Sequence, residues 1–207
     1  MARQWKCAVV GTGMVGSTHV KVLPMIPSAK LVAVCDVKPE NAESALTRAE
    51  VKGVPIYTDI FQMLKKEQVD VIHLATPSGA HMEPALAAIE AGKNVICEKP
   101  LEIQLDRADR IIAAAKARNV RVAGILQNRW KPENRAIKAA MQAGRFGKVA
   151  WAGSFTPWYR TDQYYEDGGW RGTWKWDGGG AIMNQSIHAI DLLQWIAGPV
   201  RRGSAYA

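Results

Sequence analysis

The chain has 207 residues, 48% hydrophobic and 22% charged, an ordinary globular balance with enough length to bury a core in one large or two small domains. No apolar run approaches the roughly 20 residues needed to span a bilayer, so no membrane partner is expected. Lys and Arg outnumber Asp and Glu, 27 to 19, but they are scattered over helical stretches without a basic run. An anionic cofactor or substrate explains that charge better than nucleic acid does.

Residues 7–10 form an apolar strand that runs directly into Gly11-Thr12-Gly13-Met14-Val15-Gly16, a Gly-x-Gly-x-x-Gly turn. Met1 to Lys6 lack the basic-then-apolar organisation of a secretory signal, and the expected location is cytoplasmic. In such a turn the first glycine permits the bend, and the second lets backbone N–H groups approach a pyrophosphate. The third lets the next helix pack on the strand. That helix, expected over 14–23, would offer unpaired N–H donors to phosphate oxygens. A second strand over 31–35 ends at Asp36, about twenty residues after the turn, where the adenosine ribose of a dinucleotide needs an acceptor.

Strand and helix patterns then alternate, with strands at 54–57, 69–74, 94–97 and 121–125. Helices are expected at 39–50, 59–66, 80–91 and 104–118. This is the signature of an α/β fold, a doubly wound parallel Rossmann sheet over residues 1–126. Cys7, Cys35 and Cys97 fall in or at the ends of strands and share no metal-ligand spacing, so they read as small buried hydrophobes and no metal is expected.

After Gln127 the texture changes. A helix is expected at 132–143, then a strand over Val149 to Thr156, then a Gly/Trp/Tyr/Asp-rich loop over 157–180. Trp151, Trp158, Trp170, Trp174 and Trp176 crowd into this region, and about half of them are expected to anchor a core, the others to stack on a ligand. Gly178-Gly179-Gly180 leads into an apolar-faced helix over 181–197. Residues 127–207 therefore read as a second region, in which a helix, a strand and a further helix frame that loop.

Three stretches together carry a family likeness: Ala75-Thr76-Pro77; Cys97-Glu98-Lys99-Pro100 at a strand end; and Gly179-Gly180-x-x-x-Asn184-Gln185-x-x-His188-x-x-Asp191-Leu192-Leu193. The chain resembles the glucose–fructose oxidoreductase / inositol dehydrogenase family, Gfo/Idh/MocA. The resemblance implies an oxidoreductase that moves a hydride between NAD, with NADP as the other possibility, and a secondary alcohol of a sugar, cyclitol or nucleotide sugar. It places Gly11, Thr12, Gly13, Met14 and Val15 around the pyrophosphate, and Asp36 and Val37 at the adenosine ribose. Thr76, Pro77 and His81 would lie along the middle of the cofactor. Glu98, Lys99, Gln127, Trp170 and Arg171 would stand at the nicotinamide end. It also implies a cis Lys99–Pro100 bond and, over residues 127–207, a partial C-terminal α/β domain whose open sheet carries the substrate and oligomer contacts.

Lys99 and His188 are the expected catalytic pair, with Asn184 beside them. Lys99 can hold a hydroxyl oxygen, and His188 has a near-neutral pKa suited to a base. Asn184 stands where many similar proteins carry Asp; an amide can orient a hydroxyl but cannot take its proton. His19, His73 and Asp191 read as structural. Asp36 favours NAD over NADP, with Lys38 pulling the other way. Similar proteins are much longer, so the chain is expected to be a fragment that self-associates as a homo-oligomer through residues 149–207. A dinucleotide-binding sensor without turnover is the competing reading.

Overall fold

The computed structural model describes residues 3–167, 169–204 and 206. Six strands, β1 (Trp5–Val10), β2 (Ala29–Cys35), β3 (Ile56–Tyr57), β4 (Val71–Leu74), β5 (Asn94–Cys97) and β6 (Val122–Gly124), form one sheet in the order β3-β2-β1-β4-β5-β6. Every neighbouring pair is parallel. This is the doubly wound dinucleotide-binding order, with its crossover between β1 and β4. The crossover helices are α1 (Met14–Val22), α2 (Pro39–Arg48), α3 (Ile60–Lys66), α4 (Met82–Glu90) and α5 (Leu105–Arg118).

Alternation along the strands splits the core in two. Cys7, Val9 and Leu31 pack with Val20, Leu23, Ala42 and Ala45 of the α1–α2 side. Ala8, Val10 and Ala33 pack with Met63, Ile72, Ile89 and Ile111 of the α3–α5 side. Full burial of each large aliphatic side chain contributes about 1.5–3 kcal/mol, so the central strands carry most of the stability. All three cysteines are buried and free. Burial, with Asp36 next in effect, pushes the Cys35 thiol up to about 12, which leaves it an inert packing group.

The remainder differs from the sequence expectation. Beyond β6 come α6 (Pro132–Gln142), α7 (Asp162–Glu166) and α8 (Ile187–Ala197), and among the described residues no strand forms. Residues 149–156 have strand-like composition but no partner edge, and a strand without a ladder has no hydrogen bonds to hold it. The open sheet expected there is absent from the described residues. No tryptophan of the loop is buried: Trp151, Trp158 and Trp174 are exposed, Trp170 and Trp176 partly so. The helix expected over 181–197 divides into a π-helical turn at Ile182–Ser186 and then α8. Lys99 Nζ donates to the Asn184 backbone oxygen at 2.6 Å, and a side chain entering the carbonyl ladder is a recognised cause of such a widening.

Candidate active site

An open cleft of about 1460 Å³ lies over the carboxyl ends of β1, β2, β4 and β5 and is closed on the other side by the 158–188 segment. That exceeds the roughly 300–1,000 Å³ of a pocket for one drug-sized ligand. Gly11, Gly13, Met14 and Val15 line one part of it; Lys99, Asn184 and His188 line another.

The glycine turn is built as the sequence requires. Gly11 has φ +82°, and a Cβ there would meet the Ala75–Thr76 backbone at 2.7 Å. A Cβ on Gly16 would stand 1.8 Å from the Gly11 carbonyl oxygen. At Gly13 nothing lies within 4 Å of an added Cβ, so its backbone faces space that protein does not fill. Gly13 caps α1 without any side-chain hydrogen bond, and the first turn has no acid. The free N–H groups and positive dipole end suit a pyrophosphate.

Asp36 is the best-connected polar group at this end. Its Oδ2 accepts from Thr12 N–H at 2.7 Å and Thr12 Oγ1 at 2.9 Å. Its Oδ1 accepts from Lys38 N–H at 2.9 Å and Asn41 Nδ2 at 3.3 Å. The carboxylate thus ties the glycine turn to the end of β2. Thr12 is corrected by this: it is buried under Asp36 and does not line the cleft, so its donors are already spent. Val37 lines the cleft in an exposed position. Thr76 and Pro77 line its middle.

His81 is also corrected. It is fully buried, with Nδ1 2.9 Å from Pro100 O and Nε2 3.0 Å from Thr76 O, and it is absent from the cleft wall. It braces the Thr76 turn against the segment after Lys99, whose peptide bond to Pro100 is cis. Nothing in the sequence separates this histidine from a ligand contact, since both readings ask for a polar residue after Pro77.

Lys99 reaches across the cleft. Its Nζ donates to Asn184 O at 2.6 Å and to Asn184 Oδ1 at 3.0 Å. Burial pushes the Lys99 ammonium down from its ordinary value; Glu98 and Asp177 oppose that shift and Arg171 adds to it. Asn184 Nδ2 donates to Asp177 Oδ1 at 2.7 Å, and Asp177 Oδ2 accepts from Gly172 N–H at 2.8 Å. The expected role of Asn184 therefore shifts, because its amide holds the lysine rather than facing a hydroxyl. Asp177 is buried and escaped the sequence reading, which took the whole 157–180 loop for polar surface. Its place directly before three glycines is the one available signal.

His188 opens onto the same cleft. Burial first, then the charge of Lys99, pushes its imidazole below the ordinary range, and its Nδ1 is buried without a hydrogen-bond partner. Glu98 completes this end: Oε1 meets His19 Nε2 at 3.1 Å, and Oε2 accepts from Lys99 N–H at 3.2 Å. Burial alone would raise the Glu98 carboxyl, but His19 and Lys99 bring it below the ordinary value. His19 Nδ1 in turn lies 3.1 Å from His73 Nδ1. The two histidines read as structural thus form a chain leading to Glu98. Asp191 pairs with Arg129, which lies over the Trp195 ring, joining α8 to the turn before α6. Gln127, Trp170 and Arg171 line the cleft. Among the described residues no group of His, Cys, Asp and Glu is arranged to hold a metal ion.

Residues 5–124 match the oxidoreductase family described as having an NAD-binding Rossmann fold, and residues 134–207 match the GFO/IDH/MocA C-terminal domain. The chain belongs to the GFO/IDH/MocA oxidoreductase family. Among curated family members, inositol 2-dehydrogenase of Salmonella typhimurium is 28% identical over 199 residues, 92% of this chain and 54% of that protein. Inositol 2-dehydrogenase 4 of Saccharopolyspora erythraea is 35% identical over 148 residues, 70% of this chain and 43% of that protein. The WlbA dehydrogenase of Bordetella pertussis, solved in complex with NADH and UDP-GlcNAcA, is 33% identical with a TM-score of 0.89. That match covers 97% of this chain and 59% of the other. The chain spans about half the length of the curated relatives it matches. Among the described residues no helix is long and apolar enough to cross a membrane.

Proposed function

We propose that this chain is the cofactor-binding and catalytic part of an NAD-dependent dehydrogenase acting on a secondary alcohol of a sugar, cyclitol or nucleotide sugar. Residues 1–126 would hold the cofactor and residues 127–207 would face the substrate. One observation carries the reading: Lys99 and His188 share a cleft with an open Gly13 backbone. A bound nicotinamide ring would supply the hydride acceptor or donor.

The chain's own residues supply the rest. Gly13 and the α1 N-terminus hold the pyrophosphate, and the Asp36 charge stands where a 2′-phosphate would be repelled, which favours NAD over NADP. Asn184 and Asp177 hold Lys99 in place. The ammonium donates to the substrate hydroxyl oxygen and stabilises the alkoxide as it develops. His188, kept neutral by burial and by Lys99, takes the hydroxyl proton and returns it in the reverse direction. We assign the protein to the cytoplasm, where thiols such as Cys7, Cys35 and Cys97 stay reduced. We assign it to a homo-oligomer because Trp151, Phe155 and Trp174 leave apolar surface open.

The test is a panel of cyclitols, aldoses and nucleotide sugars with NAD, read by absorbance of reduced nicotinamide. His188→Ala is expected to lower turnover of the accepted substrate by roughly 10²–10⁴. NADH binding without turnover on any panel member would favour a dinucleotide-sensing module instead.

A further inference from the structure

Glu98 lines the cleft beside Lys99 but has no part in the chemistry above, and neither have the two histidines behind it. The sheet fixes two of the three groups. β4 and β5 pair with His73 opposite Ile96, and Glu98 N–H donates to Leu74 O at 2.9 Å. His19 comes from α1, which Gly16, with no room for a Cβ, lets close on the strand. His73 Nδ1 then lies 3.1 Å from His19 Nδ1, and His19 Nε2 lies 3.1 Å from Glu98 Oε1. The rings meet edge to face with centres 5.3 Å apart, and all three side chains are largely buried.

Two facing Nδ1 atoms hydrogen-bond only when one carries a proton and the other does not, and an ionised carboxylate only accepts. Since Glu98 accepts, His19 Nε2 carries a proton, and two arrangements remain. In one, His19 is neutral and its Nδ1 accepts from His73 Nδ1–H. In the other, His19 is an imidazolium that donates from both nitrogens, while His73 accepts at Nδ1 and holds its own proton on Nε2. The two differ by one proton, and each makes every hydrogen bond in the line. His73 is not the charged member: burial, with His19 adding, lowers its pKa to about 4. The surroundings supply no other proton holder. Beyond Glu98, Lys99 and His188 stand on the cleft side, and among the described residues neither bonds to His19 or His73. α2 packs here through Ala42 and Ala45. The thiols of Cys7 on β1 and Cys97 on β5 are pushed up, chiefly by burial.

We infer that His73, His19 and Glu98 form a proton-holding line whose net charge at the cleft, minus one or zero, selects between the oxidised and the reduced cofactor. The inference rests on the dinucleotide reading of the cleft. A nicotinamide ring is cationic when oxidised and neutral when reduced. With His19 neutral, the uncompensated Glu98 charge favours the cationic form; with His19 protonated, that preference is lost. His19 and His73 are thus positioning residues that act through Glu98. The tautomer exchange at His73 lets the charge change without leaving a buried polar atom unpaired, which would otherwise oppose it.

The test has two readings on the full chain, both taken from about pH 5 to 8.5. The first needs no cofactor. In nitrogen NMR of the imidazoles, His73 is expected to stay neutral while its proton moves from Nε2 at low pH to Nδ1 at high pH, in step with the titration of His19. The second is calorimetric titration with NAD and with NADH. The ratio of NAD to NADH affinity is expected to rise roughly five- to thirtyfold as His19 loses its proton, the weight of one nearby charge at an effective dielectric of about 20. His19→Gln keeps a donor toward Glu98 and an acceptor toward His73 but takes up no proton. It should bind NADH and lack this rise; Lys99 and His188 titrate in parent and variant alike, so the difference isolates His19. A His73 that keeps one protonated nitrogen throughout, or a ratio with the same pH dependence in His19→Gln, would overturn the inference while leaving the dinucleotide reading intact. Binding of neither cofactor form by the parent chain would overturn the reading and the selection together.

Discussion

The two sides of the cleft are built on opposite plans. The glycine-turn side is mostly backbone held by a deep core: Val9, Val34, Ile72 and Ile111 are fully buried, and every strand is paired. The facing side, from Trp158 to His188, is mostly side chains on loops and short helices, and among its described residues only Asp177 is buried. It is tied to the sheet by a few polar links. Lys99 reaches Asn184, and Gly79 N–H donates to Trp176 O at 2.9 Å. The loop approaches so closely that a Cβ on Gly79 would lie 2.5 Å from Lys175 O. That division places rigidity and adaptability on different walls of the cleft.

The sharpest way to break the rigid side is Gly16→Ala. With a methyl forced 1.8 Å from the Gly11 oxygen, either the turn or α1 must move. The expected cost is at the upper end of the roughly 1–3 kcal/mol for overpacking, or beyond it. NADH binding should be lost in fluorescence titration, and the melting temperature should fall.

A second probe of the same side is pH. His73 is buried and its pKa is lowered to about 4, chiefly by burial, with His19 adding to it. In the unfolded chain a histidine titrates near 6.5, so between those values the unfolded state binds a proton that the folded state refuses. Stability is therefore whole above about pH 6.5 and declines as pH falls toward 4. His73 contributes on the order of 3 kcal/mol to that loss at its full extent. Denaturant unfolding across this range should reveal the slope, and His73→Gln should flatten it.

The facing side should respond far less to an equally large deletion. Trp174 is 85% exposed, so Trp174→Ala should change stability by no more than about 0.5 kcal/mol. A loss of several kcal/mol in the same unfolding assay would mean that the loop carries a core of its own.

The same contrast explains what was legible from sequence. Strands, crossover helices and the glycine turn follow from alternation, breakers and local geometry, and each element agrees with its neighbours. Lys99 and His188 were singled out through the family resemblance of the Glu98-Lys99-Pro100 and Asn184-Gln185-x-x-His188 stretches, because a histidine on an apolar helix reads by itself equally well as a packing residue; the structure brings both to the cleft wall. The His19–His73–Glu98 chain was not legible, because its meaning lies in contacts between residues 54 to 79 positions apart; Asp177 was not, because its partners Gly172 and Asn184 are brought to it only by the fold of a loop whose composition reads as polar surface. Thr12 and His81 misled for a related reason. Both are polar residues in the expected places, yet their donors and acceptors are spent inside the protein on Asp36, Pro100 and Thr76. The strand expected at 149–156 failed because composition proposes a strand but only a partner edge makes one.

The central claim is that one cleft holds the cofactor on its backbone-built wall and performs chemistry with side chains that bridge to the other. Lys99→Ala tests it most directly, with NADH affinity and turnover of an accepted substrate measured on the same preparation. NADH affinity should stay within about twofold of the parent while turnover falls by 10²–10⁴ or more, roughly the weight of a positioned proton-handling group. Turnover near the parent level would contradict the account, as would an NADH affinity that falls in step with turnover.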